Sequence, residues 1–249
     1  MNDPTEEIVA CGIDGCSPSP ATAAQRNTQT AGEILAHDLL VVSDVICPWC
    51  FVGKKNLDKA LGLAGPHLQI TITWLPFELN PTMPKEGMDR REYRSKKFGS
   101  WEHSLALDAQ VAEAGGRAGI SFRHDLMTRT PNTFQAHRLI WLAGEEGKQD
   151  EVVEALFRAY FTEGRDVGDT SVLIALATEV GLDEERSKAF LKGTEGADEV
   201  RHEEQASMAA GISGVPTFIL NGEQLGSGAL KPELIAERLS EAVMSHAKQ

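Results

Sequence analysis

Val41-Val42-Ser43-Asp44-Val45-Ile46-Cys47-Pro48-Trp49-Cys50-Phe51 is the stretch on which the reading of this chain turns. The apolar run at 39–42 has the composition of a short buried strand. Beyond the cysteines, Val52, Leu57, Ala60 and Leu61 recur at helical spacing among Lys54, Lys55, Asn56, Asp58 and Lys59. Two cysteines therefore straddle the start of a helix. The first lies over free backbone N–H groups at the positive end of the helix dipole, which favour a thiolate over a thiol. Pro48 suits the first helical turn, where its missing N–H would have had no partner. Cys50, one turn further in, is placed to attack a mixed disulfide and release its product.

Outward from this stretch, residues 68–75 alternate: Leu68, Ile70, Ile72 and Trp74 on one side, Gln69, Thr71 and Thr73 on the other. That is a strand signal, and strand–helix–strand with so long a connection implies a parallel pair with a right-handed crossover. From about residue 85 to 211 the pattern is helical. Helices are predicted over 88–98, 101–114, 131–146, 150–163, 171–180, 184–192 and 196–210. Ser100, Thr130 and Asp169 or Thr170 are their candidate caps. A strand at 216–220, the hairpin signal Asn221-Gly222, a returning strand at 224–227 and an amphipathic helix at 231–247 close the chain. The order is β-α-β, a helical block, then β-β-α. Residues 1–36 read as a flexible segment holding Cys11-Gly12-Ile13-Asp14-Gly15-Cys16 and the linker-like run at 17–24.

The Cys-Pro-Trp-Cys stretch resembles the active site of the thioredoxin superfamily, and specifically its DsbA-like branch. Gly214-Val215-Pro216-Thr217-Phe218 resembles that superfamily's cis-proline strand. Asp44-x-x-Cys-Pro-Trp-Cys, Pro76-Phe77-Glu78-Leu79-Asn80-Pro81 and Pro131-Asn132-Thr133-Phe134-x-Ala136-His137-Arg138-Leu139 resemble the FrnE-like subfamily, over about residues 38–245. The resemblance implies an α/β, thioredoxin-like fold with a large α-helical insertion between its β-α-β and β-β-α halves. The thioredoxin-like domain would comprise 37–84 and 212–249, with 85–211 inserted. It implies a protein disulfide oxidoreductase of reductase or isomerase type. It is also related in fold to 2-hydroxychromene-2-carboxylate isomerases and kappa-class glutathione transferases, which typically carry serine at the position of Cys47.

Each residue has a plainer reading. Cys47 and Cys50 could be half of a zinc site completed by Cys11 and Cys16, but Pro-Trp makes a poor zinc knuckle. Trp49 could be a core aromatic or flank the sulfur and meet a substrate chain. Pro216 could open a strand or follow a cis bond that turns the Val215 backbone toward Cys47, where an extended substrate could add as a strand. Asp44 and Glu78 are a candidate proton relay for Cys50; the plainer readings are a cap on the turn for Asp44 and a surface carboxylate for Glu78. His137 reads first as a packing histidine. Cys11 and Cys16 are a candidate auxiliary redox pair, the alternative being a tail whose thiols do nothing.

The chain of 249 residues has a net charge of −13, which argues against nucleic-acid and anionic-membrane partners. The basic run Arg90, Arg91, Arg94, Lys96 and Lys97 reads as a solvated helix face. With 41 % hydrophobic and 24 % charged residues, the composition is that of an ordinary globular protein. The acidic start lacks the pattern of a secretory signal, so the expected compartment is the cytoplasm. The expected partners are protein or peptide disulfides and a thiol reductant, with a homodimer left open. No organic cofactor and no metal is called for, since the electrons reside on the cysteine pair.

Overall fold

The computed structural model describes residues 8–12, 15–19, 36–65 and 68–246. In chain order the elements are β1 (Ile8–Gly12), β2 (Gly15–Ser19), β3 (Ala36–Ser43), α1 (Pro48–Ala64), β4 (Gln69–Pro76), β5 (Met88–Asp89), α2 (Arg90–Phe98) and α3 (Trp101–Ala118). They continue with β6 (Arg129–Thr130), α4 (Phe134–Glu145), α5 (Gln149–Glu163), α6 (Thr170–Glu179), α7 (Glu184–Lys192) and α8 (Ala197–Ala209). Last come β7 (Gly214–Val215), β8 (Thr217–Leu220), β9 (Glu223–Ser227) and α9 (Pro232–His246).

The main sheet has the order β4-β3-β8-β9. β3 pairs parallel with β4, Val41 opposite Trp74, and antiparallel with β8, Val41 opposite Phe218. Leu39, Val41 and Val42 are fully buried, as expected for a central strand covered on both faces. α1 and α9 pack together, while α4, α5 and α8 reach β4. Phe51 of α1 stacks on Phe157 of α5 at 5.2 Å, tying the first helix to the helical block. At the sheet edge the Gln149 side chain accepts from the Trp74 N–H and donates to its carbonyl. That blocks further pairing at this point of the edge. Asn221 and Gly222 both have positive φ, as the predicted tight hairpin requires.

The structure corrects several sequence expectations. Helix α4 does not begin at Pro131. Thr130 is paired with Met88, and the Asn132 side chain accepts from the Phe134 N–H, so the turn before the helix consumes the proline. Asp169, rather than Thr170, caps α6, and Ser100 caps α3 as expected. The basic run is not simply solvated: Arg90 is buried and bonds Asp108 at 2.7 Å, and Arg94 bonds the same carboxylate at 2.8 Å.

The largest difference lies at the N-terminus. Of the segment 1–36 expected to be flexible, residues 8–12 and 15–19 form the antiparallel strands β1 and β2, with Pro18 on the outer strand, where a proline is tolerated, while residues 1–7, 13–14 and 20–35, most of the expected linker at 17–24 among them, lie outside the described residues. Two strands alone are marginal in water. Here β7 supplies a third, and a two-residue strand leaves no pattern to read in a sequence.

Candidate active site

Chain reversal at the end of β3 creates the site. The Cys47 N–H bonds the Asp44 carbonyl, and the Cys50 and Phe51 N–H groups bond the Cys47 carbonyl, so Cys47 is the N-cap residue of α1 and Pro48 its first helical residue. The first backbone N–H groups of α1 have no side-chain cap. The Cys47 thiol donates to the Val215 carbonyl at 3.7 Å. The Val215–Pro216 bond is cis, as the sequence implied, and Pro216 leads into β8. Gly53 permits this approach: a Cβ there would stand 2.8 Å from Pro216 Cγ. Trp49 and Pro48 are half-buried beside the pair.

Cys50 is fully buried. Burial pushes its thiol well up, and the neighbouring Cys47 sulfur acts the same way; contacts with the Ser43 side chain and the Asp44 backbone oppose them. Behind the sulfurs lies a polar cluster. Asp44 Oδ2 accepts from the Leu79 N–H at 2.7 Å and Oδ1 from the Ile46 N–H at 3.3 Å, so Asp44 caps the turn and pins the loop after β4. His137 Nε2 lies 3.5 Å from Asp44 Oδ1, a charge contact rather than an aligned hydrogen bond. Burial opposes a charged His137, but Asp44, Glu78 and Glu204 outweigh it and hold its pKa above the usual value.

Glu78 is not a surface carboxylate. It is only 7 % exposed, and burial raises its pKa to about 7; His137 opposes the rise while Glu204 and Asp44 add to it. Its backbone N–H donates to Glu204 Oε1 at 2.6 Å. Thus Asp44, Glu78 and His137, singled out separately in the sequence, converge with Glu204, which was not. Glu204 lies on the buried stripe of α8 with Ala197, Val200 and Ser207, so a carboxylate on an apolar helical stripe was the available signal.

Cys11 and Cys16 are directly opposite in the β1–β2 ladder, and Cys11 is opposite Val215 in the β1–β7 ladder. No cluster of three or more metal-ligating side chains occurs among the described residues.

The parallel β3–α1–β4 unit, with two thiols at the start of α1 and a cis-proline strand beside it, is a thioredoxin-like arrangement. The DSBA-like thioredoxin domain model matches residues 38–240, and the chain belongs to that family. It is 31 % identical over 202 residues to the uncharacterised protein YwbO of Bacillus subtilis (strain 168), covering 81 % of this chain and 94 % of that one. Among solved structures it resembles the probable DsbA oxidoreductase SCO1869 of Streptomyces coelicolor at 33 % identity and a TM-score of 0.75, over 83 % of this chain and 89 % of that one. The fold is shared with a 2-hydroxychromene-2-carboxylate isomerase, at 15 % identity and a TM-score of 0.64, over 85 % of this chain and 98 % of that one.

Proposed function

We propose that this protein is a thiol–disulfide oxidoreductase of the FrnE-like subfamily, acting on protein or peptide disulfides as a reductase or isomerase. The observation that carries the reading is the placement of Cys47 at the uncapped start of α1, with its sulfur 3.7 Å from the Val215 carbonyl. Cys47 attacks a substrate sulfur, the substrate disulfide breaks, and its second sulfur leaves as a thiolate that takes up a proton. Cys50 then gives up its proton and attacks the Cys47 sulfur, releasing the substrate thiol and leaving a Cys47–Cys50 disulfide. A thiol reductant restores the pair. Val215 and Pro216 shape the edge on which an extended substrate pairs, with Trp49 and Pro48 beside it.

Burial holds the Cys50 proton in place, so the resolving step needs an acceptor. The cluster of Asp44, His137 and Glu78, whose side chains can take up a proton, serves as that reservoir. The reaction draws on no organic cofactor and no metal. The cytoplasm suits it, since a reducing pool of thiols is present there. Among the described residues no helix is long and apolar enough to cross a membrane.

The fold alone does not separate this reading from a glutathione-linked isomerase; the cysteine at position 47 favours the dithiol. The test is turnover of a peptide disulfide by Cys47→Ser. Loss of turnover is expected, whereas full turnover would favour the glutathione-linked reaction.

A further inference from the structure

The thiol that must meet a substrate is fully buried: Cys47 is 0 % exposed, as is Val215. An extended substrate chain would pair with the backbone at Val215. That position is occupied by the chain's own β1, which runs antiparallel to β7 with Cys11 opposite Val215 and Gly12 opposite Gly214. β1 also lies against α1 and β9, the elements flanking the sulfur and the cis-proline strand. The register along the other side of β1 places Cys16 opposite Cys11. Directly opposed residues in an antiparallel ladder have Cα atoms about 4.5–5.5 Å apart. A disulfide closes over about 4.4–6.8 Å.

We propose that the hairpin Ile8–Gly12 and Gly15–Ser19 is an in-cis occupant of the substrate edge that presents the Cys11–Cys16 disulfide to Cys47 and yields the edge to an external chain. The proposal rests on the oxidoreductase reading. It adds the register, the sulfur attacked and a competition between hairpin and substrate. The Cys47 thiolate attacks the Cys11 sulfur; the Cys11–Cys16 bond breaks, a Cys47–Cys11 bond forms, and Cys16 leaves as a thiolate that is then protonated. Cys50, having lost its proton, attacks the Cys47 sulfur and releases Cys11 as a thiolate, which is protonated in turn. Two electrons have passed from the Cys47/Cys50 dithiol to the hairpin disulfide, and no further reactant is needed. The reverse sequence recharges the active site as an oxidant. Because hairpin and active site belong to one chain, the exchange is intramolecular and does not depend on protein concentration.

The experiment uses the full chain with Cys50→Ser, which removes the resolving thiol. It is equilibrated with reduced and oxidised glutathione, quenched with acid and alkylated. Its disulfides are then mapped by peptide mass spectrometry over a hundredfold range of protein concentration. A Cys11–Cys47 disulfide within one chain, present to an extent independent of protein concentration, is the expected result. A Cys16–Cys47 link in its place, links only between chains, or none to the hairpin would each overturn the proposal. A parallel sample receives an excess of a model peptide disulfide. The peptide should displace the hairpin link; capture of the peptide by Cys47 in a chain that forms no hairpin link even when the peptide is absent would overturn this inference and leave the oxidoreductase reading standing. Capture of neither would overturn both. An Ile8→Pro, Ala10→Pro chain, which weakens β1 without touching a cysteine, should alkylate at Cys47 at least about tenfold faster than the unaltered chain if β1 shields that sulfur. An unchanged rate would count against occupancy of the edge.

Discussion

The sulfur side of the site and the polar cluster behind it are built in opposite ways. Cys47, Pro48, Trp49 and Cys50 are consecutive, positioned by one turn and one helix start, and only Val215 and Pro216 come from afar. Asp44, Glu78, His137 and Glu204 come from the end of β3, the loop after β4, α4 and α8, and meet only because the helical block packs beside the sheet. The local side is suited to bond exchange and the dispersed side to holding protons. A fold can therefore keep the first while the second is retuned by substitutions far away in the chain.

Three substitutions would break or sharpen that contrast. The largest effect is expected on the sulfur side: Cys47→Ser should lower disulfide turnover by about 10³-fold or more, with melting temperature little changed. Turnover assays and thermal melts of the same preparation check both halves. Next comes Asp44→Ala, which strips the acceptor from the Leu79 and Ile46 N–H groups and leaves a buried His137 without its carboxylate. A loss of about 3 kcal/mol of folding stability is expected from urea unfolding. A loss below about 1 kcal/mol would mean that the cluster is not structurally coupled to the turn.

The smallest effect is a pH dependence. Glu78 has its folded pKa raised from 4.5 to about 7, so below 4.5 it is protonated in both states and contributes nothing to the slope. Between 4.5 and about 7 the unfolded chain releases the proton while the folded one keeps it, so stability falls as pH rises and levels off above that range. His137, with a raised pKa, adds a fall of the same sign as pH passes through its folded value. Glu78→Gln should remove the first part. The loss of stability between pH 4.5 and 8 should shrink by at most about 3 kcal/mol, less whatever solvent reaches the group. Identical pH profiles for the two proteins would contradict the buried, uncharged Glu78.

The same division explains what could be read in advance. Cys47, Cys50 and the Val215–Pro216 strand carry their meaning in short local patterns, and the structure places them together. Asp44 was legible as a cap because it sits at a turn. The plainer surface reading of Glu78 fails because its burial involves α8, more than a hundred residues later. The Pro131 start failed because a proline suits a first helical turn and the preceding loop equally well, and the pairing of Thr130 with Met88 decided for the loop. The β1–β2 hairpin was hidden for a similar reason. Ser17-Pro18-Ser19 has linker composition, and only the partner strand at Gly214–Val215 gives Ile8–Gly12 a reason to extend.

The central claim is that Cys47 is the attacking sulfur and Cys50 the resolving one. It is tested most directly in a Cys11→Ser, Cys16→Ser, Cys50→Ser chain, where Cys47 is the remaining thiol, compared with a Cys11→Ser, Cys16→Ser, Cys47→Ser chain that keeps Cys50. Each is mixed with a peptide disulfide, quenched with acid and weighed by intact-mass spectrometry. The expected result is a covalent peptide adduct on Cys47 that accumulates because nothing resolves it, with little or none on Cys50. Adducts that form as fast on Cys50, or that fail to form on Cys47, would contradict the account.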